Sequence, residues 1–163
     1  MSTLALQPTY HLELIDGREI EKALPKKLHV FIQTYLAFVL RRDLPKKYRA
    51  ASELNVLCGG DRLIPDLTVM TRDARYTDGD LADAPLLAIE ILSPGQTVGQ
   101  LFDKADRLVR AGAKVCWIIW PERRKVWMYS ADDVSEACDF LAATLLDGDK
   151  VTIGLADLWA ELD

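Results

Sequence analysis

Apolar positions along this chain switch repeatedly between two periods. Tyr10, Leu12 and Leu14 alternate with His11 and Glu13, which is a strand pattern. Asp16-Gly17 closes it with a tight turn, and Arg18 to Ala23 reads as the returning strand. The spacing then lengthens. Leu28, Phe31, Ile32, Tyr35, Leu36, Val39 and Leu40 predict a long helix, with Pro25 in its first turn and its end near Arg42. Arg41 and Arg42 suit the negative end of its dipole. Leu44-Pro45 breaks this pattern. Tyr48 to Leu57 and Ile64 to Thr71 predict two strands around the turn Cys58-Gly59-Gly60-Asp61. Arg72 to Ala84 is polar and predicts a loop with a short helical turn; its acids lack the full spacing of a calcium loop.

Leu86 to Leu92 is a nearly unbroken apolar run, as expected of a central strand covered on both faces. Ser93-Pro94-Gly95 ends it. Thr97 can cap the next helix, which turns Val98, Leu101, Phe102, Ala105, Leu108 and Val109 inward and stops at Gly112. Val115 to Trp120 is a second buried strand, so the strand–helix–strand order predicts a right-handed parallel crossover. Pro121 to Arg124 turns into an antiparallel neighbour, Val126 to Tyr129. Phe140 to Leu145 and Lys150 to Ile153 form a hairpin around Asp147-Gly148, and Leu155 to Leu162 is a short closing helix. The expected fold is α/β: a mixed central β-sheet flanked by helices, forming one domain over residues 1–163, with Met1 to Pro8 as a frayed arm.

Composition narrows the function classes. At 163 residues and 50% hydrophobic the chain can build a self-sufficient core. No apolar run reaches the ~20 residues of a membrane span, and Met1 to Tyr10 lacks the pattern of a signal peptide, so a cytoplasmic protein is expected. Cys58, Cys116 and Cys138 are odd in number and far apart, which suits reduced thiols better than a disulfide framework or a zinc site. A net charge of −5 argues against a uniformly basic surface. Arg41-Arg42, Lys46-Lys47 with Arg49, and Arg123-Arg124-Lys125 remain as local basic clusters, read as solvated loop charges.

Against this background two acids stand out. Asp66 and Glu90 interrupt segments that should be buried, and a buried carboxylate is costly unless paired or metal-bound. On neighbouring strands they would form a hard oxygen site suited to Mg²⁺ or Mn²⁺ rather than zinc. Lys104, on the helix leaving the Glu90 strand, has a stem long enough to reach back, where its charge could stabilise a phosphate undergoing attack. By residue type alone, a lysine on a helix flank faces water. Glu13, opposite Leu12 and Leu14, reads as a solvent-facing strand carboxylate, and His29 as a structural histidine. Ser93 reads as a strand-end hydrogen-bonding residue, since no histidine base is near it in sequence. Trp117, Trp120 and Trp127 read as packing residues.

Pro65-Asp66, then Glu90-Ile91-Leu92-Ser93-Pro94, then Lys104, Gly112 and Trp117 resemble the PD-(D/E)XK, restriction-endonuclease-like superfamily, and within it the Uma-two family of endonucleases. Glu13 to Gly17 matches that family's opening hairpin, His29 a histidine early in its first long helix, and Leu145 to Leu162 its C-terminal hairpin and helix. The resemblance implies a restriction-endonuclease-like core with an N-terminal hairpin and a long first helix. It implies an Mg²⁺- or Mn²⁺-dependent endonuclease acting on DNA. Asp66 and Glu90 would be metal ligands, Glu13 an additional acid acting directly or through water, and Lys104 the catalytic lysine. The position two after Glu90 is Leu92, so the lysine has moved from the strand to the helix. Gln100, Leu108 and Cys116 also depart from the family pattern. A homodimer is expected by the same analogy. The alternative is a nuclease fold that binds nucleic acid or protein without cutting. If Asp66 and Glu90 are ligands, neutralising either should stabilise the metal-free form by relieving acid–acid repulsion.

Overall fold

The alternating and helical periods become elements in the expected order. In a computed structural model that describes residues 11–163, these are β1 (Leu12–Ile15), β2 (Arg18–Glu21), α1 (Lys27–Asp43), β3 (Tyr48–Ser52), β4 (Val56–Cys58), β5 (Asp61–Leu63) and β6 (Leu67–Thr71). There follow β7 (Tyr76–Thr77), β8 (Asp80–Leu81), β9 (Leu87–Ile91), α2 (Val98–Arg110), β10 (Val115–Trp120), β11 (Lys125–Tyr129), β12 (Val134–Glu136), β13 (Phe140–Thr144), β14 (Lys150–Gly154) and α3 (Leu155–Ala160). The arm expected at Met1 to Pro8, and Tyr10 of the first strand pattern, lie outside the described residues.

The fold is the expected mixed α/β arrangement. A central sheet has the order β12-β11-β10-β9-β6-β3, and a smaller one β2-β1-β5-β4-β8-β7. β9 and β10 pair in parallel, with α2 as the crossover, while β6 and β11 flank them antiparallel. The period of two along β9 divides the core. Leu87, Ile89 and Ile91 join Ile32, Leu36, Val39 and Leu40 of α1 on one face, with Trp117 beside them. Ala88 joins Leu101, Ala105 and Leu108 of α2, and Val56, Leu63 and Leu81 of the smaller sheet, on the other. Glu90 shares the parity of Ala88, and so projects toward α2.

Four local readings change. Ile64 to Thr71 is a strand only from Leu67: β5 ends at Leu63, and Ile64-Pro65-Asp66 links it to β6, since proline interrupts a ladder. Tyr48 to Leu57 is two strands, because Glu53 has φ +55° and turns the chain out of the central sheet into the smaller one. Arg72 to Ala84 holds the short β7–β8 hairpin rather than a helical turn. Pro25 precedes the helix, whose cap is Lys26. Thr97 caps α2 as expected: its Oγ1 accepts from Gln100 N, and Gln100 Oε1 accepts from Thr97 N. Gln100, which departs from the family pattern, is therefore a capping residue, and Leu108 and Cys116 fill the core. Gly112 stops α2 with φ +113°, and a Cβ there would sit 3.0 Å from that of Ala84. No helix among the described residues is long and apolar enough to cross a membrane.

A buried cluster of carboxylates and ammonium groups

Five elements bring charge to one place. β1 supplies Glu13, the segment after β2 supplies Lys22, the segment before β6 supplies Asp66, β9 supplies Glu90, and α2 supplies Lys104. Glu13, Asp66, Glu90 and Lys104 are all buried, Asp66 to 1% exposure. The solvent-facing reading of Glu13 is thus corrected. Leu12 and Leu14 are only half-buried, while the smaller sheet turns the Glu13 side of the strand toward α2.

Lys104 organises one half of the cluster. Its Nζ lies 2.5 Å from Glu13 Oε1, 3.0 Å from Glu90 Oε1 and 3.1 Å from Glu90 Oε2. It also donates to the carbonyl of Ile64 at 3.0 Å. Glu13 Oε1 accepts a further hydrogen bond from Ile64 N at 2.8 Å. Burial opposes the charged form of Lys104, but Glu90, Glu13 and Asp66 outweigh it and keep the ammonium protonated. Burial pushes the Glu90 carboxyl up to about 8; Lys104 opposes this and the Asp66 carboxylate adds to it.

Asp66 forms the other half. Its Oδ2 accepts from Ile91 N at 2.7 Å, immediately beyond Glu90, and its Oδ1 lies 2.7 Å from Lys22 Nζ. His29 Nε2 is 3.3 Å from the same Oδ1, but off the direction of a formed hydrogen bond. Burial would raise the Asp66 carboxyl, yet His29 and the Lys22 ammonium hold it down at about 2. Proximity to Asp66 favours the His29 proton on Nε2, leaving Nδ1 to accept from Ser93 Oγ–H at 2.8 Å. Ser93 does have a histidine beside it, 64 residues away in sequence. Both side chains are buried, so this chain of contacts orients His29 toward Asp66 rather than exposing a serine nucleophile.

The structure therefore gathers all four residues expected from the sequence, Glu13, Asp66, Glu90 and Lys104, and makes His29 and Ser93 part of the same cluster. Lys22, Glu53 and Gln33 were not anticipated. Lys22 Nζ is 2.7 Å from Glu53 Oε2, and Gln33 Nε2 donates to Glu53 Oε1 and to the Asp66 carbonyl, each at 2.9 Å. Their only sequence signal is a lysine following Arg18-Glu19-Ile20-Glu21, which looks like a solvated charged hairpin. A cleft of about 390 Å³ opens on the cluster, lined by Glu13, Lys22, Gln100, Lys104 and Arg107 among others.

The donor chemistry fits a hard divalent cation. Asp66 Oδ1 and Glu90 Oε1 are buried carboxylate oxygens that face only cationic side chains, chiefly the ammonium groups of Lys22 at 2.7 Å and Lys104 at 3.0 Å, and make no further hydrogen bond. Among the described residues no three acidic, histidine or cysteine side chains form a ready-made cage, because ammonium groups separate the carboxylates. A cation held by two carboxylates, with water and phosphate completing its shell, is the ordinary condition for Mg²⁺.

A family model named Uma2 and described as "Putative restriction endonuclease" matches residues 2–157. Among solved structures, the crystal structure of a putative nuclease belonging to DUF820 from Anabaena variabilis ATCC 29413 superposes with a TM-score of 0.81. The match covers 93% of this chain and 91% of that one, at 25% identity. No curated protein matches the chain.

Proposed function

We propose that this chain, which belongs to the Uma2 family, hydrolyses phosphodiester bonds in DNA with Mg²⁺ or Mn²⁺ as cofactor. The observation that carries the reading is the convergence of Glu13, Asp66, Glu90 and Lys104 beneath one cleft. Asp66 and Glu90 would hold the cation, with Glu13 assisting directly or through water. When bound, the cation supplies Lewis acidity to the phosphate and to the attacking water. Lys104, kept protonated by its acidic neighbours, would donate to the phosphate oxygens as negative charge builds on them. Asp66 is oriented by Ile91 N, and Glu13 by Ile64 N, so neither carboxylate has to reorganise for that task.

A second cleft supports a polyanionic substrate. Arg41, Lys46, Arg49 and Arg72 line about 440 Å³ near the start of β3, and none of the four is ion-paired among the described residues. Such a basic cleft suits phosphate contacts that position a nucleic acid without reading its sequence.

With Mg²⁺ or Mn²⁺ the purified protein should nick plasmid DNA and stop on adding EDTA; RNA and single-stranded oligonucleotides run in parallel define the substrate. Binding without cleavage under all these conditions would replace this reading with a non-cutting nuclease fold. The raised Glu90 carboxyl gives a pH prediction. Below about 8 it holds a proton that a cation must displace, so Mn²⁺ affinity should climb as pH rises to about 8 and level off above. Calorimetry in buffers of differing ionisation enthalpy should detect that proton; heats independent of buffer at pH 7 would contradict it.

A further inference from the structure

We propose that Lys22 is a tethered counter-ion which competes with the divalent cation for Asp66, and that Glu53 is the anion that receives it when the cation binds. The inference rests on the metal-binding reading of Asp66. Ile91 N engages Asp66 Oδ2, so Oδ1, which makes no formed hydrogen bond and faces His29 and Lys22, is the oxygen left to meet a cation. Lys22 Nζ stands 2.7 Å from that oxygen. An ammonium and a divalent cation cannot share it without strong repulsion in so buried a place. One must leave, and the ammonium is the one on a flexible stem.

Glu53 gives it somewhere to go. Lys22 Nζ is equally 2.7 Å from Glu53 Oε2, and the Glu53 side chain is 33% exposed against 2% for Asp66. The lysine thus touches a deep anion and a rim anion at once. Glu53 is held for this purpose. Its backbone takes φ +55°, which disfavours a residue with a Cβ, and its N–H points to the Asp66 carbonyl at 3.3 Å. Gln33 clamps Glu53 Oε1 and the same carbonyl. A small cavity lined by Lys22 and Glu53, with His11, Leu24 and Pro25, lies on the rim side. Because Lys22 is attached to the hairpin, it competes at a high and constant effective concentration, which sets a ceiling on metal affinity.

Two substitutions should therefore shift affinity in opposite directions. Lys22→Met removes the competitor and should tighten Mn²⁺ binding about tenfold or more. Glu53→Gln removes the receiving anion, leaves Lys22 on Asp66, and should weaken binding several-fold. Mn²⁺ titrations followed by calorimetry and by electron paramagnetic resonance read both, with Asp66→Asn defining the site-specific signal. Melting in EDTA gives a second measure for Lys22→Met: it should melt lower than wild type without metal and gain more from Mn²⁺. Unchanged or weaker Mn²⁺ binding by Lys22→Met, with wild-type binding still dependent on Asp66, overturns the competition and leaves the metal site intact. Tighter binding by Glu53→Gln overturns it equally. If neither wild type nor Lys22→Met binds Mn²⁺ through Asp66, the metal reading fails and takes this inference with it.

Discussion

Asp66→Asn should lower the rate of DNA cleavage by at least about a thousandfold, roughly 4 kcal/mol of activation free energy. The two side chains have the same shape, so the Ile91 N contact survives while the charge that would hold a cation is lost. Quantified nicking of plasmid under single-turnover conditions checks this, and activity within tenfold of wild type would remove Asp66 from the site. The same substitution should also destabilise the metal-free protein. The Asp66 carboxyl is depressed to about 2, so its contribution to stability is complete above the ordinary aspartate range and is lost only as pH falls through about 2. Asparagine provides none of it at any pH, and it leaves the Lys22 ammonium with Glu53 alone, so the variant should melt below wild type in EDTA. The assay must therefore be run well below the melting temperature of the variant.

Here the expectation that neutralising either acid stabilises the metal-free form divides between the two residues. Asp66 is already satisfied by Lys22 and His29. Glu90 carries the repulsion and the desolvation. Its carboxyl is raised from 4.5 to about 8, so its contribution is complete below about 4.5 and declines as pH rises through about 8. Glutamine at position 90 would escape that decline.

The second large effect belongs to Lys104. Lys104→Met should reduce cleavage a hundred- to a thousandfold, as for loss of one preorganised donor. It should also depress the melting temperature in EDTA, since the buried Glu13 carboxylate would lose its ammonium partner at a cost of about 3 kcal/mol, while Glu90 would be held more firmly in its protonated form. Divalent metal should then restore much of the stability and none of the rate. Scanning calorimetry with EDTA and with Mn²⁺, beside the cleavage assay, separates the two effects. A variant that melts like wild type in EDTA would mean that Lys104 does not hold these acids together.

Asp66 and Glu90 are legible because each is a charge in a segment whose pattern demands burial; Lys104 lies outside the apolar stripe of its helix, and only the reach of its stem and the family resemblance point to it. The parallel crossover is legible from two unbroken apolar runs separated by a helix of suitable length. Periodicity misplaces Glu13 because alternation assigns faces without saying which face is covered. That answer lies in the pairing of β1 with β5, set by contacts far along the chain. Glu53 hid inside a strand-like run because a single left-handed residue leaves no mark on hydropathy. Ser93 and His29 could not be connected from sequence, since their contact spans 64 residues. Lys22 sat among neighbours whose charges look solvated, and three of them are.

The opening hairpin has one more consequence. It is pinned at its turn by Arg107, whose guanidinium grips Asp16 and Asp61. Through it the first two dozen residues deliver both an anion and a cation to partners encoded much later, the Arg107–Asp16 contact alone closing 91 positions. Contacts of such range must meet a loop-closure entropy before they repay it. A partly folded chain in which the hairpin has not docked on α2 consequently lacks both Glu13 and Lys22 from the charge cluster.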